Sequence, residues 1–297
     1  MAVCLVLVCA ACAGQDETAR AEYTEPRLKN VAVVDAAVAL PFDAYTLSTP
    51  ELEHMARDYA QLLEGCLESR GVPVPTDAFF AGDYLRASDP RDNQFLVWGG
   101  PFGTLDAAHA KRWGYHASPD GPYANGPAFY LSSPDNLGLG GHASPGLERA
   151  ERELDGPLDS GKATCRAEVD KQLSAPMPDV ADVKRDTSQL ALGHPAVVPR
   201  LAAWMTCMRE AGFGGFKHVY DAEMSVYLRP LGAAEIRLAV QDVACTRSSR
   251  WADFYYAALA DYEKQAIKNN PDLFSGALSA ERKRADALSS ALDQDTR

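Results

Sequence analysis

The chain has 297 residues, of which 46% are hydrophobic and 24% charged, fractions that are typical of soluble globular proteins. Disorder over most of the chain is thereby excluded, and the length is sufficient for one large or two modest domains. The formal net charge of −12 would repel a polyanion, so the composition argues against nucleic acid as a partner.

An apolar, uncharged segment opens the chain. Its run of about ten apolar residues is too short to span a bilayer, which requires about 20, and is typical of the core of a secretory signal. The segment ends in Cys9, Ala10, Ala11 and Cys12, and this ending resembles the lipobox of bacterial lipoproteins. We therefore predict a signal peptide over residues 1–11 and an extracytoplasmic protein that lipidated Cys12 anchors to the membrane. A secreted protein without a lipid anchor is the alternative.

Beyond the signal, apolar residues recur at helical spacing, which predicts a mainly α-helical fold with little strand. Residues 12–30 are polar and charged, as expected of a tether between an anchor and a folded body. The predicted helices are one from the Ser48 cap to Gly71, one over about 179–190, one from 195 or 199 to 210, and one long helix over 233–269. The predicted strands are short, at 95–98 and 226–228.

Four cysteines remain after the signal: Cys66, Cys165, Cys207 and Cys245. An even number of scattered cysteines in an exported protein favours two structural disulfides over a zinc site, and spacing alone allows three pairings. The segments 66–72 and 207–213 share a pattern of cysteine, apolar residue, three polar or small residues, glycine and apolar residue. Each precedes a later cysteine in a predicted helix. This weak internal duplication favours pairing Cys66 with Cys165 and Cys207 with Cys245.

The duplication divides the body into two weakly related helical halves, at 31–175 and 176–275. Residues 276–297 form a charged, alanine-rich tail, predicted as a solvated helix or a frayed end. The first half includes a loop-rich region at 98–146, where 49 residues contain ten glycines, six prolines and seven aromatic residues. One short helix is predicted there, from Thr104 to Arg112.

Aromatic residues in this loop region are candidate ligand-binding groups, because rings presented on loops can stack on sugars or peptides. The candidates are Trp98, Trp113, Tyr115 and Tyr123. The alternative is that they pin the long loop onto the helices. Exposed rings around a concavity would support binding, whereas full burial would support a structural role.

One cluster of catalytic residue types lies in the same region, and it consists of Asp106, His109 and His116. It could supply acid/base chemistry or bind a metal. Asp106 could instead stabilise a helix N-terminus. The chain has none of the short motifs of metalloproteases, serine hydrolases or nucleotide sites, and we predict no cofactor and no metal.

Several segments together resemble a family of uncharacterised secreted proteins and lipoproteins of actinobacteria, over roughly residues 38 to 275. The segments are Leu40 to Tyr45, Cys66 to Gly71, Phe102-Gly103 with Asp106, Gly114 to His116, Gly161 to Cys165 ahead of Glu168, His194 to Val198, Ala203 to Met208, and Ala234 to Ile236 with Asp242 and Cys245. The resemblance implies an exported protein associated with the cell envelope and carries over no catalytic residue.

The sequence thus predicts a non-enzymatic extracytoplasmic lipoprotein that binds or scaffolds a cell-envelope component, either a polymer or a peptide. The alternative is a cell-wall hydrolase or metal-binding enzyme that uses Asp106, His109 and His116.

Overall fold

The computed structural model describes residues 23–34, 38–72, 105–115, 153, 163–172, 178, 180–226 and 231–295. This part of the chain is predominantly helical and has no strand, which confirms the mainly α-helical fold class. A 3₁₀ helix at Pro41–Tyr45 precedes nine α-helices within these ranges: α1 Thr49–Ser69, α2 Ala107–Trp113, α3 Cys165–Gln172, α4 Ala181–Leu192, α5 Val198–Glu210, α6 Asp221–Met224, α7 Ala233–Ser249, α8 Trp251–Asn269 and α9 Pro271–Asp295. Among these helices, none is long and apolar enough to cross a membrane.

The two predicted strands have different outcomes. Residues 95–98 lie outside the described ranges. At 226–228 the described part shows a turn at Val226, which follows α6 and donates its N–H to the carbonyl of Glu223 at 3.0 Å. The prediction of a strand that begins at Val226 is therefore wrong, because a local hydrogen bond closes the backbone into a turn there.

Helix α1 begins and ends where the sequence predicts. Ser48 is the N-cap residue, and its N–H donates to Glu51 Oε2 at 2.7 Å, while Pro50 lies in the first turn. Gly71 follows the last turn with φ 67°. The apolar stripe of the helix is buried as its spacing indicates: Met55, Tyr59, Leu62, Leu63 and Leu67.

The long stripe that predicts one helix over 233–269 is divided into α7 and α8, so the single-helix prediction is wrong. Arg250 separates the two helices with a left-handed backbone, φ 59°. Its guanidinium donates to Asp253 Oδ2 at 2.7 Å and to the carbonyl oxygen of Val31 at 3.0 Å. Contacts with a distant segment therefore support a costly local conformation that helical periodicity does not reveal.

Residues 23–34 lie against the body, which corrects the prediction of a tether that extends to residue 30. The Gln265 side chain bonds both the N–H and the carbonyl of Thr24, at 2.8 and 2.9 Å. His194 Nε2 lies 3.0 Å from the carbonyl oxygen of buried Pro26. Polar composition alone does not distinguish a solvated segment from one whose backbone finds side-chain partners in the folded protein.

The described part of the predicted C-terminal tail, residues 276–295, lies in a helix that contributes to a core rather than in a solvated or frayed end. Helix α9 packs along α1, and its Leu288 side chain is 0% exposed. Ser289 Oγ donates to Asp58 Oδ2 of α1 at 2.6 Å. The many charged residues and alanines of the tail make its narrow apolar stripe difficult to recognise in the sequence. That stripe is buried because it packs against α1.

The helices enclose two principal cores. The first joins α1, α3 and α9, and the second joins α2 and α4–α8. Both cores cross the predicted boundaries between halves. Segment 105–115 belongs to the first half by chain order but packs into the second core, and α9 returns to the first core.

The predicted disulfide pairing is confirmed, with one bridge in each core. The Cα atoms of Cys66 and Cys165 lie 5.8 Å apart, and those of Cys207 and Cys245 lie 5.6 Å apart. In each pair the first cysteine is half-buried near the end of a helix, and the second is fully buried on a partner helix.

The two cysteine helices also end alike, which supports the internal duplication. The N–H of Val72 donates to the Leu67 carbonyl at 3.0 Å, and the N–H of Phe213 donates to the Met208 carbonyl at 2.9 Å. In each case the glycine before the donor has a positive φ, 67° after α1 and 89° after α5. This is the Schellman ending, formed at corresponding positions of the repeat.

We expect Gly71→Ala and Gly212→Ala each to lower the free energy of unfolding by about 1 kcal/mol, because a Cβ disfavours left-handed backbone. Chemical denaturation measures the change. Gly214→Ala is the control, since that glycine lacks a left-handed φ and a new Cβ would lie 3.8 Å from Arg209 Cγ. Equal losses in all three variants would contradict the shared helix ending.

Candidate functional site

The structure describes four of the predicted site residues, and all four lie on one short segment around α2: Asp106, His109, Trp113 and Tyr115. The others lie outside the described residues: Cys12, Trp98, His116 and Tyr123. The helix predicted from Thr104 to Arg112 is present as α2 over Ala107–Trp113, and Thr104 itself is outside the described ranges.

Asp106 is the N-cap residue of α2. Its Oδ1 accepts a hydrogen bond from the Ala108 N–H at 2.7 Å. His109 lies half-buried in the first turn. Within the described ranges, no three His, Cys, Asp or Glu side chains form a group suited to hold a metal ion. The bond to Ala108 gives Asp106 the helix-stabilising role that the sequence offers as its alternative, and His116 of the predicted cluster lies outside the described residues.

Tyr115 is a core residue. The side chain is 2% exposed, and its hydroxyl donates to Asp242 Oδ2 at 2.8 Å. Its backbone N–H donates to Glu235 Oε1 at 3.0 Å. No face of the ring is open to stack on a ligand, which corrects the expectation that Tyr115 binds one directly. The residue anchors its segment to α7.

Trp113 differs from Tyr115 because it remains partly exposed. The Arg112 guanidinium lies 4.9 Å from the centroid of its indole ring, a cation–π distance. A further bond holds the segment, since Arg247 Nη2 donates to the Leu105 carbonyl at 3.2 Å. The indole is therefore presented near the surface by a short helix that is fixed at both ends.

A group of buried carboxyls lies beneath this helix, and Asp242 of α7 is its most connected member. Besides Tyr115, it accepts hydrogen bonds from Trp204 Nε1 at 2.8 Å and from Thr246 Oγ1 at 3.2 Å. Burial raises the pKa of Asp242 to about 6, although these three donors oppose the shift. Asp242 of α7 is thus bonded to α5 and to the segment that directly follows α2.

Glu223 of α6 is the second buried carboxyl, and it is 2% exposed. Within the described part of the chain neither of its carboxyl oxygens has a hydrogen-bond partner. Burial raises the pKa of Glu223 to about 8, and the nearby carboxyls of Asp242 and Glu235 act in the same direction. Glu223 therefore keeps its proton at neutral pH.

The sequence analysis does not identify Glu223, Glu235 and Asp242 as a buried group, although the sequence contains a partial signal of it. Glu235 and Asp242 are seven residues apart, which is about two helical turns, so they share a face with the apolar residue Leu238. Acidic residues on an apolar stripe indicate buried polar groups. Glu223 lies in a short helix without such periodicity, and only the tertiary structure brings it to the other two.

The buried carboxyls predict that stability falls as pH rises from about 4.5 to about 8. Burial raises the pKa of Glu223, and that of Glu263 in α8, to about 8. Below about 4.5 both the folded and the unfolded states hold these protons, so stability is unaffected. Between the two values the folded state binds protons that the unfolded state has released, so rising pH favours unfolding, and above about 8 the effect is complete.

Urea denaturation across this pH range measures the effect, and Glu223→Gln is expected to reduce the slope because glutamine does not titrate. Glu210→Gln, an exposed glutamate of α5, is the control for removal of one negative charge. A slope that is identical in wild type and Glu223→Gln would contradict the expected contribution of Glu223.

A surface pocket lies against α5 and the loop that follows it. Its volume is about 280 Å³, and its lining includes Met205, Thr206, Arg209, Phe213 and Phe216. The Phe216 ring stacks on the buried Trp204 ring with centroids 6.4 Å apart. One wall of the pocket is therefore fixed by the same tryptophan that donates to Asp242.

Comparison of the chain with protein-family models, with curated proteins and with solved structures finds no match.

Proposed function

We propose that this protein is an exported, non-enzymatic lipoprotein that binds or scaffolds a polymer or peptide of the cell envelope through the surface around Trp113. The observation that carries the binding proposal is the position of that indole. It is partly exposed on α2, while Tyr115 of the same segment is buried and bonded to Asp242. A rigidly held aromatic ring loses little conformational entropy when a ligand stacks on it.

Export is supported by the cysteines. Two bridges join cysteines that are 99 and 38 residues apart in sequence, and each has one fully buried cysteine. Structural disulfides of this kind persist in oxidising compartments and are rare in the cytosol. The amino-terminal apolar run and the resemblance to actinobacterial secreted proteins and lipoproteins also support export.

Anchoring is proposed to depend on lipid at Cys12. The eleven residue steps from Cys12 to Tyr23 span at most about 40 Å when fully extended. Since residues 23–34 are bonded to His194 and to Gln265 of α8, the anchor would hold the second core close to the membrane surface. That placement suits a protein that contacts envelope material next to the membrane.

The test is retention of the full chain on isolated cell envelope. Trp113→Ala is expected to weaken retention about tenfold, the scale of losing one well-placed aromatic contact. Lys111→Ala is the matched control, since it changes an exposed residue of the same helix. Thermal denaturation must show that Trp113→Ala remains folded. Cys12→Ser is expected to move the protein out of the membrane fraction without changing retention by soluble envelope fragments.

The enzyme alternative makes the opposite prediction in the same assay. If folded Trp113→Ala is retained like wild type, while His109→Ala abolishes a measurable hydrolysis of envelope polymer, the binding proposal is wrong. In that outcome the hydrolase that uses Asp106, His109 and His116 replaces it.

A further inference from the structure

We propose that the pocket against α5 binds a ligand that carries an apolar group beside a carboxylate, with Arg209 as the partner of the anion. This site is separate from the surface around Trp113, and it does not rest on the function proposed above. The two proposals therefore succeed or fail independently.

The charge of the residues that line the pocket favours an anionic ligand. Among the described residues, the pocket is lined by one arginine and by no carboxylate, although the chain as a whole carries a net charge of −12. Arg209 Nη2 donates to Thr206 Oγ1 at 3.3 Å, and within the described residues Arg209 makes no ion pair. A guanidinium has five N–H donors in a planar arrangement that matches a carboxylate, so donors remain for a ligand.

The other lining residues favour a ligand that has an apolar group. Met205, Phe213 and Phe216 are half-buried, so parts of these large side chains stay open to the pocket. Aromatic and thioether groups of this kind form favourable contacts with rings and alkyl chains. A ligand that combines such a group with an anion would satisfy both the walls and the arginine.

The walls are preformed, which lowers the cost of binding. The Phe213 N–H is fixed by the Met208 carbonyl at the end of α5, at 2.9 Å. The Phe216 ring lies on Trp204, which is fully buried and bonded to Asp242. The volume of about 280 Å³ is just below the range of about 300–1,000 Å³ for small-molecule sites. It therefore fits a small molecule or one terminal residue of a peptide.

The experiment compares three probes that share a phenyl group and a four-carbon chain, on the full chain by calorimetric titration. The probes are 4-phenylbutyrate, its uncharged amide, and 4-phenylbutylamine. We expect the acid to bind about five- to tenfold more tightly than the amide, the range for a charge-assisted hydrogen bond at a partly exposed site, and the amine to bind most weakly. Equal binding of acid and amide, or binding of neither at millimolar concentration, would overturn the proposal.

Variants assign the binding to the pocket. Arg209→Met keeps an apolar stem and is expected to abolish the preference for acid over amide. Phe213→Ala is expected to weaken both probes alike. Arg237→Met removes the same charge from an exposed position of α7 outside the lining and should leave all three affinities unchanged. An unchanged acid preference in Arg209→Met would place the anion elsewhere and overturn the assignment.

Peptide probes distinguish the two possible sources of an apolar group beside a carboxylate, which are a peptide terminus and a free small acid. Acetyl-Ala-Phe with a free carboxylate, compared with its carboxamide, reports binding of a chain end. Tight binding of the peptide acid supports a peptide terminus as the ligand, whereas binding of 4-phenylbutyrate alone supports a free small acid. Because Trp204 touches Phe216, its fluorescence gives a second readout that should change with the acid and not with the amine.

Discussion

Replacing both Cys66 and Cys165 with alanine is expected to lower the free energy of unfolding by about 4 to 5 kcal/mol. The bridge closes a loop of 99 residues, and the chain-entropy model assigns about that much to a closure of this length. The Cys207–Cys245 bridge closes 38 residues and is expected to contribute slightly less, about 4 kcal/mol. Urea denaturation of each double variant measures both values.

We expect the native contacts beside the first bridge to survive this change, so that the loss reports mainly on the unfolded state. In the native protein Tyr59 Oη donates to Asp170 Oδ1 at 3.0 Å, and Arg70 pairs with Glu168 at 2.9 Å. Reduction provides the control, since a thiol reductant breaks both bridges of wild type and should cost about the sum of the two contributions, whereas the variant should lose only the contribution of the Cys207–Cys245 bridge. A loss below about 1 kcal/mol in the double variant would contradict the assigned role of the 66–165 closure.

Asp242→Ala is expected to destabilise the second core by about 3 kcal/mol or more. Three buried donors would lose their common acceptor, on Tyr115, Trp204 and Thr246. Each unsatisfied buried donor costs about 1–3 kcal/mol, and removal of the buried charge of Asp242 offsets part of the sum. Urea denaturation at pH 7 gives the total.

Two further variants separate the hydrogen bonds from the charge. Asp242→Asn keeps an acceptor oxygen and removes the charge, so it should cost less than Asp242→Ala. Tyr115→Phe removes one donor and should cost about 1–2 kcal/mol. Asp286→Ala, at an exposed position of α9, is the control and should change stability by less than about 0.5 kcal/mol. Near-equal stability of Asp242→Ala and wild type would show that the three bonds contribute little.

Loss of the bond between Asp242 and Tyr115 is also expected to affect ligand binding by the surface around Trp113. Asp242 holds Tyr115, and Tyr115 holds the segment that carries the indole. Loss of this anchor is expected to weaken envelope retention even though Asp242 is itself buried. Tyr115→Phe therefore links the stability of the core to the binding proposal.

The sequence by itself determined the features that depend on near neighbours in the chain. The capping residues and apolar stripe predict α1, from Ser48 to Gly71, because a cap and a terminal glycine act within one turn. The repeated segment with cysteine and glycine predicts both disulfides, because the duplicated pattern implies a duplicated pairing. The role of Asp106 at a helix start, which is one of the two interpretations that the sequence offers, likewise depends on a residue only two positions away.

Only the tertiary structure decided the features that depend on partners far along the chain. The break at Arg250 rests on a bond to Val31, and the burial of Leu288 rests on α1, more than two hundred residues earlier. The carboxyl of Glu223 meets Asp242 and Glu235 because α6 packs on α7, a contact that no periodicity encodes. Local patterns specify backbone conformation through caps, glycines and side-chain spacing. The choice of which faces meet is made by burial of apolar area and by long-range hydrogen bonds, and these depend on the whole fold.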